Sequence, residues 1–194
     1  MDKISYAIGL SMGQNLRGSG VTKLEYTDLA KGVQDVLEGQ KPQISYQEAQ
    51  TILGQFFSEL ENRIAGEQKK AGEEFLAANA KRAEVKTTPS GLQYEVLEAT
   101  IGQKPKATDK VRVHYEGTLI DGTIFDSSYK RGESISFALN QVIKGWTEGL
   151  QLMSVGSKYK LYIPYQLAYG EQGAGGSIPP YAALIFTVEL LGIE

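Results

Sequence analysis

Val142-Ile143-Lys144-Gly145-Trp146 holds the only tryptophan among 194 residues, directly after a glycine and close behind two β-branched residues. The stretch lies between a strand-like segment, residues 135–139, and a short helix-like one, residues 147–153. An indole at the opening of a helix presents a large rigid apolar face, which either fills the core or lines a pocket. The rest of the chain decides between the two by what it can bring to that face.

The composition, 41% hydrophobic and 22% charged, is that of an ordinary soluble globular protein with room for one large or two small domains. A formal net charge of −3, with only short basic pairs such as Lys69-Lys70 and Lys81-Arg82, offers no electrostatic footprint for nucleic acid or an anionic membrane. No apolar run approaches the roughly 18 residues needed to span a bilayer, and Met1-Asp2-Lys3-Ile4 lacks the basic-then-apolar layout of a signal peptide. The chain as given is expected in the cytoplasm, or in the periplasm or on the cell surface if a leader has been removed. With no cysteine and one histidine, disulfides, thiolate nucleophiles, thiolate zinc sites and multi-histidine metal sites are excluded, and no metal or cofactor is expected. His114 alternates with Val111, Val113 and Tyr115, which predicts a solvated or hydrogen-bonded strand histidine.

Residues 1–85 read as helix. Apolar residues recur at three- and four-residue spacing in Ile4, Ile8, Met12, Leu16 and again in Leu29, Val33, Val36, Leu37, with Gly18 and Gly20 between them. Gly39 and Pro42 end the second helix. Ser45-Tyr46-Gln47-Glu48 then has the form of a capping box. No proline interrupts residues 45–83, so a helix there could run roughly 60 Å. Its first half carries a broad apolar face, Ala49, Ile52, Leu53, Phe56, Phe57, Leu60 and Ile64, expected to be buried. Its second half, mostly Glu, Lys, Ala and Asn, reads as a solvated rod. Three helices make a thin core, and small helical units often complete one by pairing with a copy of themselves, so a homodimer through residues 1–64 is expected.

The pattern changes at Lys86-Thr87-Thr88-Pro89-Ser90-Gly91. Beyond it period-two alternation takes over in Leu92, Tyr94, Val96; Val111, Val113, Tyr115; Tyr159, Leu161, Ile163; and Leu184, Phe186, Val188, Leu190. Asp121-Gly122 is a hairpin signal. Residues 86–194 therefore read as an antiparallel sheet wrapped on one small helix, and the whole chain as α+β. The run Gly173-Ala174-Gly175-Gly176-Ser177 lacks the Gly-Lys-Ser/Thr ending of a phosphate loop, and Pro179-Pro180 forbids a helix after it, so a surface hairpin fits better.

Val113-His114-Tyr115-Glu116-Gly117, Gly122-Thr123-Ile124-Phe125-Asp126-Ser127-Ser128, Val142-Ile143-Lys144-Gly145-Trp146, Ala168-Tyr169-Gly170, Ile178-Pro179-Pro180 and Phe186-Thr187-Val188-Glu189-Leu190-Leu191 are linked motifs of one order and approximate spacing. In both respects the chain resembles the FKBP-type peptidyl-prolyl cis-trans isomerases. The helical first half resembles the dimerisation region of the bacterial Mip-like and FklB-like branch. The resemblance implies a half-open antiparallel sheet curled around a short helix, with a proline pocket between them. It implies that Tyr115, Phe125, Asp126, Ile135, Val142, Ile143, Trp146, Tyr169, Ile178 and Phe186 bind substrate, with Trp146 as the floor. Phe125, Asp126 and Tyr169 would be catalytic, and the Ile143 amide and Tyr169 hydroxyl would bond substrate carbonyls. The implied partners are proline-containing unfolded or partly folded polypeptides and, as inhibitors, macrolides. Ile135 stands where many members carry a phenyl ring, Ala174 where many carry a larger side chain, and the turn before Val142 is about two residues shorter. These departures bear on macrolide affinity and on the residue preferred before proline.

The chemistry needs no nucleophile. Rotation about a peptide bond faces about 18–20 kcal/mol because the amide is conjugated, and X-Pro bonds interconvert in tens of seconds or longer. An apolar aromatic pocket can strip water from the imide and fit its twisted form better than either planar isomer. Asp126 could orient Tyr169 or an arginine, stabilise the twisted imide, or merely cap the Ser127-Ser128 loop. A holdase-type chaperone, or a peptide-binding module with secondary or no isomerase activity, is the competing reading.

Overall fold

The computed structural model describes all residues, Met1–Glu194, which divide into two compact units, Met1–Ile64 and Ala65–Glu194. The first unit holds α1 (Lys3–Gly18), α2 (Tyr26–Leu37) and the start of α3 (Tyr46–Asn79), which continues into the second. Asp2 caps α1 by accepting from the Ser5 amide at 2.7 Å, and Ser45 caps α3 by accepting from the Glu48 amide at 3.1 Å. Only the serine half of the capping box is formed. The apolar faces of this unit are not covered within the chain. Val36 is 61% exposed, Ile52 48% and Leu53 52%, and α1 has no buried residue.

The second unit carries β1 (Val85–Thr87), β2 (Gln93–Glu98), β3 (Lys110–Leu119), β4 (Ile124–Ser127), α4 (Ser128–Arg131), β5 (Ile135–Ala138), α5 (Lys144–Leu152), β6 (Lys158–Ile163) and β7 (Leu184–Ile193). The sheet is antiparallel and open, in the order β1-β2-β6-β7-β3-β4, with β5 pairing the first half of β3 and β4 its second half. Asp121-Gly122 forms the expected turn: Gly122 has φ +88°, Leu119 N–H donates to Thr123 O at 2.9 Å, and Thr118 pairs with Ile124. Alternation along β3, β6 and β7 puts Val111, Val113, Leu161, Ile163, Leu184, Val188 and Leu190 on the face that meets Leu150 and Trp146 of α5.

The second half of α3 is not a solvated rod. Phe75 tilts against Tyr162, with ring centroids 6.1 Å apart, and Gly72 is buried against Ala183. Buried Asn79 donates to Gln93 at 2.9 Å, and Gln93 donates to Leu76 O at 2.9 Å. Arg82, beyond the helix end, donates to Asn79, Tyr162 and Glu95 at 3.0, 2.9 and 2.9 Å. Apart from Phe75, polar groups and a glycine make these contacts, so no continuous apolar stripe announces them. For the same reason the change from one compact unit to the next falls inside α3, whereas the change from helix to strand in the sequence falls near residue 85.

Helix α5 lies close on β6. A Cβ at Gly145 would stand 2.4 Å from Ile163 Cγ2, and one at Gly149 would stand 2.8 Å from Leu161 Cδ1. Alanine would add up to about 1 kcal/mol of helix propensity at either site, against roughly 1–3 kcal/mol of overpacking. At Gly145 the obstacle is a β-branched methyl that cannot swing aside; at Gly149 it is the tip of a leucine. Gly145→Ala is therefore expected to destabilise the unit by about 1–2 kcal/mol and Gly149→Ala to be near neutral. Urea unfolding followed by Trp146 emission checks both, and a Gly145→Ala chain as stable as the native one would contradict the close approach.

Candidate active site

Trp146 is the third residue of α5 and 5% exposed. Its ring meets Tyr115 at 5.1 Å and 85°, Phe186 at 5.1 Å and 83°, and Phe137 at 5.2 Å and 50°. These are the edge-to-face and tilted contacts that aromatic quadrupoles favour. The indole N–H has no partner within the chain. Thr147 fastens the helix from below by donating to Leu139 O at 2.6 Å.

The opposite wall depends on one glycine. Gly117 of β3 pairs with Asp126 of β4 on one side and Phe186 of β7 on the other. A Cβ there would lie 2.6 Å from Phe125 Cζ and 2.7 Å from Phe186 Cε1, so only glycine lets both rings cross the strand. Their centroids are 5.5 Å apart at 83°. Between these rings, α5 and the loop after β6 lies a cavity of about 560 Å³, a size suited to a small molecule or a short peptide segment. All ten residues expected to bind substrate line it.

Sequence reasoning did not single out Phe137, Gln141, Gly175 or Ser177 as lining residues, and it named Ala174 only as a departure in the flap; all five also line the cavity. Phe137 could have been found, because it shares a strand face with Ile135 two residues earlier. The other missed functional residue is Arg131. Its guanidinium bonds the Asp126 carboxylate directly and donates to the Tyr115 hydroxyl at 3.1 Å, while Tyr115 donates to the other oxygen of Asp126. Of the roles open to Asp126, the structure thus has it holding an arginine and Tyr115; no hydrogen bond joins it to Tyr169. The loop cap is supplied by Ser127, which accepts from the Lys130 amide at 3.3 Å. With both side chains more than a third exposed, the ion pair is screened by water and serves mainly to fix orientation.

Two further donors stay unpaired. The Ile143 amide precedes α5 and has no acceptor in the chain, and the half-exposed Tyr169 hydroxyl has none either. Burial, helped by the negative charge of Asp126, pushes the Tyr169 pKa up, so the hydroxyl remains a donor. Burial likewise raises that of Tyr115. Burial works against ionisation of Asp126, but Tyr115 and Arg131 outweigh it and hold the carboxyl below its ordinary range. His114 is not in the cavity wall; its Nδ1 lies 2.9 Å from Ser128 Oγ and its ring stacks on Tyr129 at 4.8 Å.

Residues 102–191 match the family described as FKBP-type peptidyl-prolyl cis-trans isomerase, and residues 1–96 match the domain amino terminal to it. The chain belongs to the FKBP-type peptidyl-prolyl cis-trans isomerases. It is 51% identical to the FKBP-type peptidyl-prolyl cis-trans isomerase FkpA of Aeromonas hydrophila, covering 100% of this chain and 76% of that protein. To the FKBP-type 22 kDa peptidyl-prolyl cis-trans isomerase of Escherichia coli it is 47% identical, over 97% of this chain and 93% of that one. The crystal structure of FkpA from Escherichia coli superposes with a TM-score of 0.78 at 41% identity, covering 99% of this chain and 95% of that one. The α+β architecture is shared with that structure, and the chain is an isomerase enzyme.

The titration of this FKBP-type site can be worked out. A carboxyl with a depressed folded pKa contributes stability that is complete above its unfolded value, near 4, and is lost as pH falls through the folded one. The tyrosines, with raised values, keep their protons to beyond pH 10. No group lining the cavity therefore changes charge between pH 6 and 9, and kcat/KM measured by NMR exchange on an X-Pro peptide is expected to be flat across that window. A bell-shaped profile inside it would show that a titrating group acts in catalysis.

Proposed function

We propose that this isomerase accelerates X-Pro rotation in unfolded or partly folded polypeptides by a non-covalent route in the aromatic cavity. The observation that carries this reading is a cavity whose floor and walls are the rings of Trp146, Tyr115, Phe125, Phe137 and Phe186, whose lining carboxylate is already paired with Arg131, and whose free donors include the Ile143 amide and the Tyr169 hydroxyl. A planar imide is the more polar species because its nitrogen lone pair is delocalised onto oxygen. An apolar, water-excluding cavity disfavours it relative to the twisted form. The two donors hold flanking carbonyls while the imide itself stays dry, and Asp126 with Arg131 keeps Tyr115 in place. A factor of 10⁴ requires about 5–6 kcal/mol of preferential transition-state binding, within reach of desolvation plus one or two hydrogen bonds. Macrolide inhibitors would enter the same cavity, with Ile135 and Ala174 setting the rim. A protease-coupled assay on a short X-Pro peptide is expected to show clear loss of kcat/KM in Asp126→Ala and partial loss, about tenfold for one hydrogen bond, in Tyr169→Phe. Native rates in both would remove these role assignments.

The residues of Met1–Ile64 support a homodimer. Val36, Leu37, Ile52 and Leu53 border an apolar groove of about 620 Å³ between α2 and α3, and Ile4, Ile8 and Leu10 stand exposed on α1. Uncovered faces of this size are unusual on a monomer, and a second copy supplies the matching surface. Two linked cavities would raise the effective concentration of a held client. The same apolar faces favour an accompanying holdase activity. Light scattering at micromolar concentration is expected to give twice the chain mass, and Ile52→Asp with Leu53→Asp to give the monomer with peptide activity retained. A native chain of single mass would exclude the dimer.

A further inference from the structure

The cavity has two kinds of wall. Strands and α5 make one; a hairpin makes the other, closed where Ala174 N–H donates to Ile178 O at 2.9 Å and Ile178 N–H to Ala174 O at 3.0 Å. Ala174, Gly175, Ser177 and Ile178 face the cavity from it. The chain leaves the hairpin through Pro179-Pro180 into Tyr181, the one non-glycine residue with positive φ, +58°. A side chain in the left-handed region costs on the order of 1–2 kcal/mol, so the surroundings must hold it there.

Those surroundings are Tyr165, just after β6, and α3. The Tyr181 ring meets Tyr165 edge-on at 5.1 Å and 67°, and the Lys69 ammonium lies 5.8 Å from the centroids of both. Three residues on, on the same helix face, a Cβ at Gly72 would stand 3.1 Å from Ala183 Cβ and 3.8 Å from Tyr181 O. The backbones of the same two tyrosines also anchor a second piece of the wall: Gly170 N–H donates to Tyr165 O at 2.9 Å and Gly170 O accepts from Tyr181 N–H at 3.0 Å, which fixes the residue next to Tyr169. Tyr169 and Ile178 thus both hang from one cluster, and a lysine of the long helix is seated on it.

We propose that Lys69, acting through Tyr165 and Tyr181, is a positioning residue for the isomerase cavity, so that residues 65–79 of α3 set how Tyr169 and the 174–178 hairpin receive the chain flanking proline. Lys69 touches no substrate. Removing it relaxes the hairpin, which contacts flanking residues in ground and transition states alike, so KM rises and kcat stays. The proposal rests on the cavity being the site of isomerisation, which the Asp126 and Tyr169 variants probe separately.

The test measures KM and kcat on an X-Pro peptide by NMR exchange for full-length Lys69→Ala, Lys69→Arg and Tyr181→Asn, with amide hydrogen exchange at Ala174 and Ile178 and, as core references, at Val113 and Leu161. Asparagine tolerates the left-handed backbone while losing the ring. Lys69→Ala and Tyr181→Asn are expected to raise KM about twofold to fivefold, the scale of an exposed cation–π contact, with kcat unchanged. Exchange should quicken at Ala174 and Ile178 only, and Lys69→Arg should behave as native. A Lys69→Ala chain with native KM and native exchange overturns the proposal, as does a loss that arginine does not restore or that spreads to Val113 and Leu161.

Discussion

A helix approaches a sheet only as closely as the side chains between them permit, and α5 meets β6 with none at Gly145 or Gly149. That approach sets the depth of Trp146, because the indole follows Gly145 directly and points into the space between helix and strands. On the facing side Gly117 is bare for the same reason, and there the rings of Phe125 and Phe186 cross the strand. The cavity is therefore shaped by three positions where the backbone carries no side chain, and the rings occupy the volume released. A single methyl at Gly117 displaces aromatic surface, each ring of which buries on the order of 150–250 Å².

The two compact units solve burial differently. In Ala65–Glu194 the period-two face of the sheet closes over α5, and the outer face near β2 and β6 is covered by α3 through Phe75 and a polar network in which Asn79, Gln93, Arg82, Glu95 and Tyr162 satisfy one another. Of these, the buried pair Asn79 and Gln93 is costly to disturb singly, since either loss leaves the other unpaired at about 1–3 kcal/mol. In Met1–Ile64 the apolar faces are amphipathic but uncovered, with Leu60 and Val21 among the few buried apolar residues. One unit buries its apolar face within itself; the other leaves its apolar faces uncovered.

Most of the sheet was legible because burying one face forces a period of two, and the site was legible because its rings sit in short stretches of fixed order. Most of the α3 contacts were not, since beside Phe75 it is Gly72, Asn79 and Lys69 that make them and none of these three residue types signals burial. Arg131 was equally hidden: it reaches Asp126 through the turn of α4, a four-residue helix too short to leave a periodicity. The three-residue strand β1 and the positive φ of Tyr181 arise from pairing with β2 and from packing on Tyr165, which are tertiary effects without a local cause. Asp126 shows the intermediate case, where the residue was identified and several partners were chemically open, and only the fold selected among them.

The two kinds of wall divide the work of an isomerase. Floor and sheet side are rings packed edge to face, held by strand register and by glycines that leave no slack, which suits the imide, whose twisted form must be recognised the same way in every client. The other side is a hairpin closed by one pair of backbone bonds and a tyrosine turn, with small residues at its tip. Chains that differ on either side of proline need a surface that can give there without disturbing the rings. A wall rigid throughout would bind one sequence tightly and reject its neighbours, and one soft throughout could not favour a twisted imide over a planar one. Discrimination of the bond and tolerance of its surroundings make different demands on one cavity of about 560 Å³, one side of which is built from sheet and helix and the other from a loop.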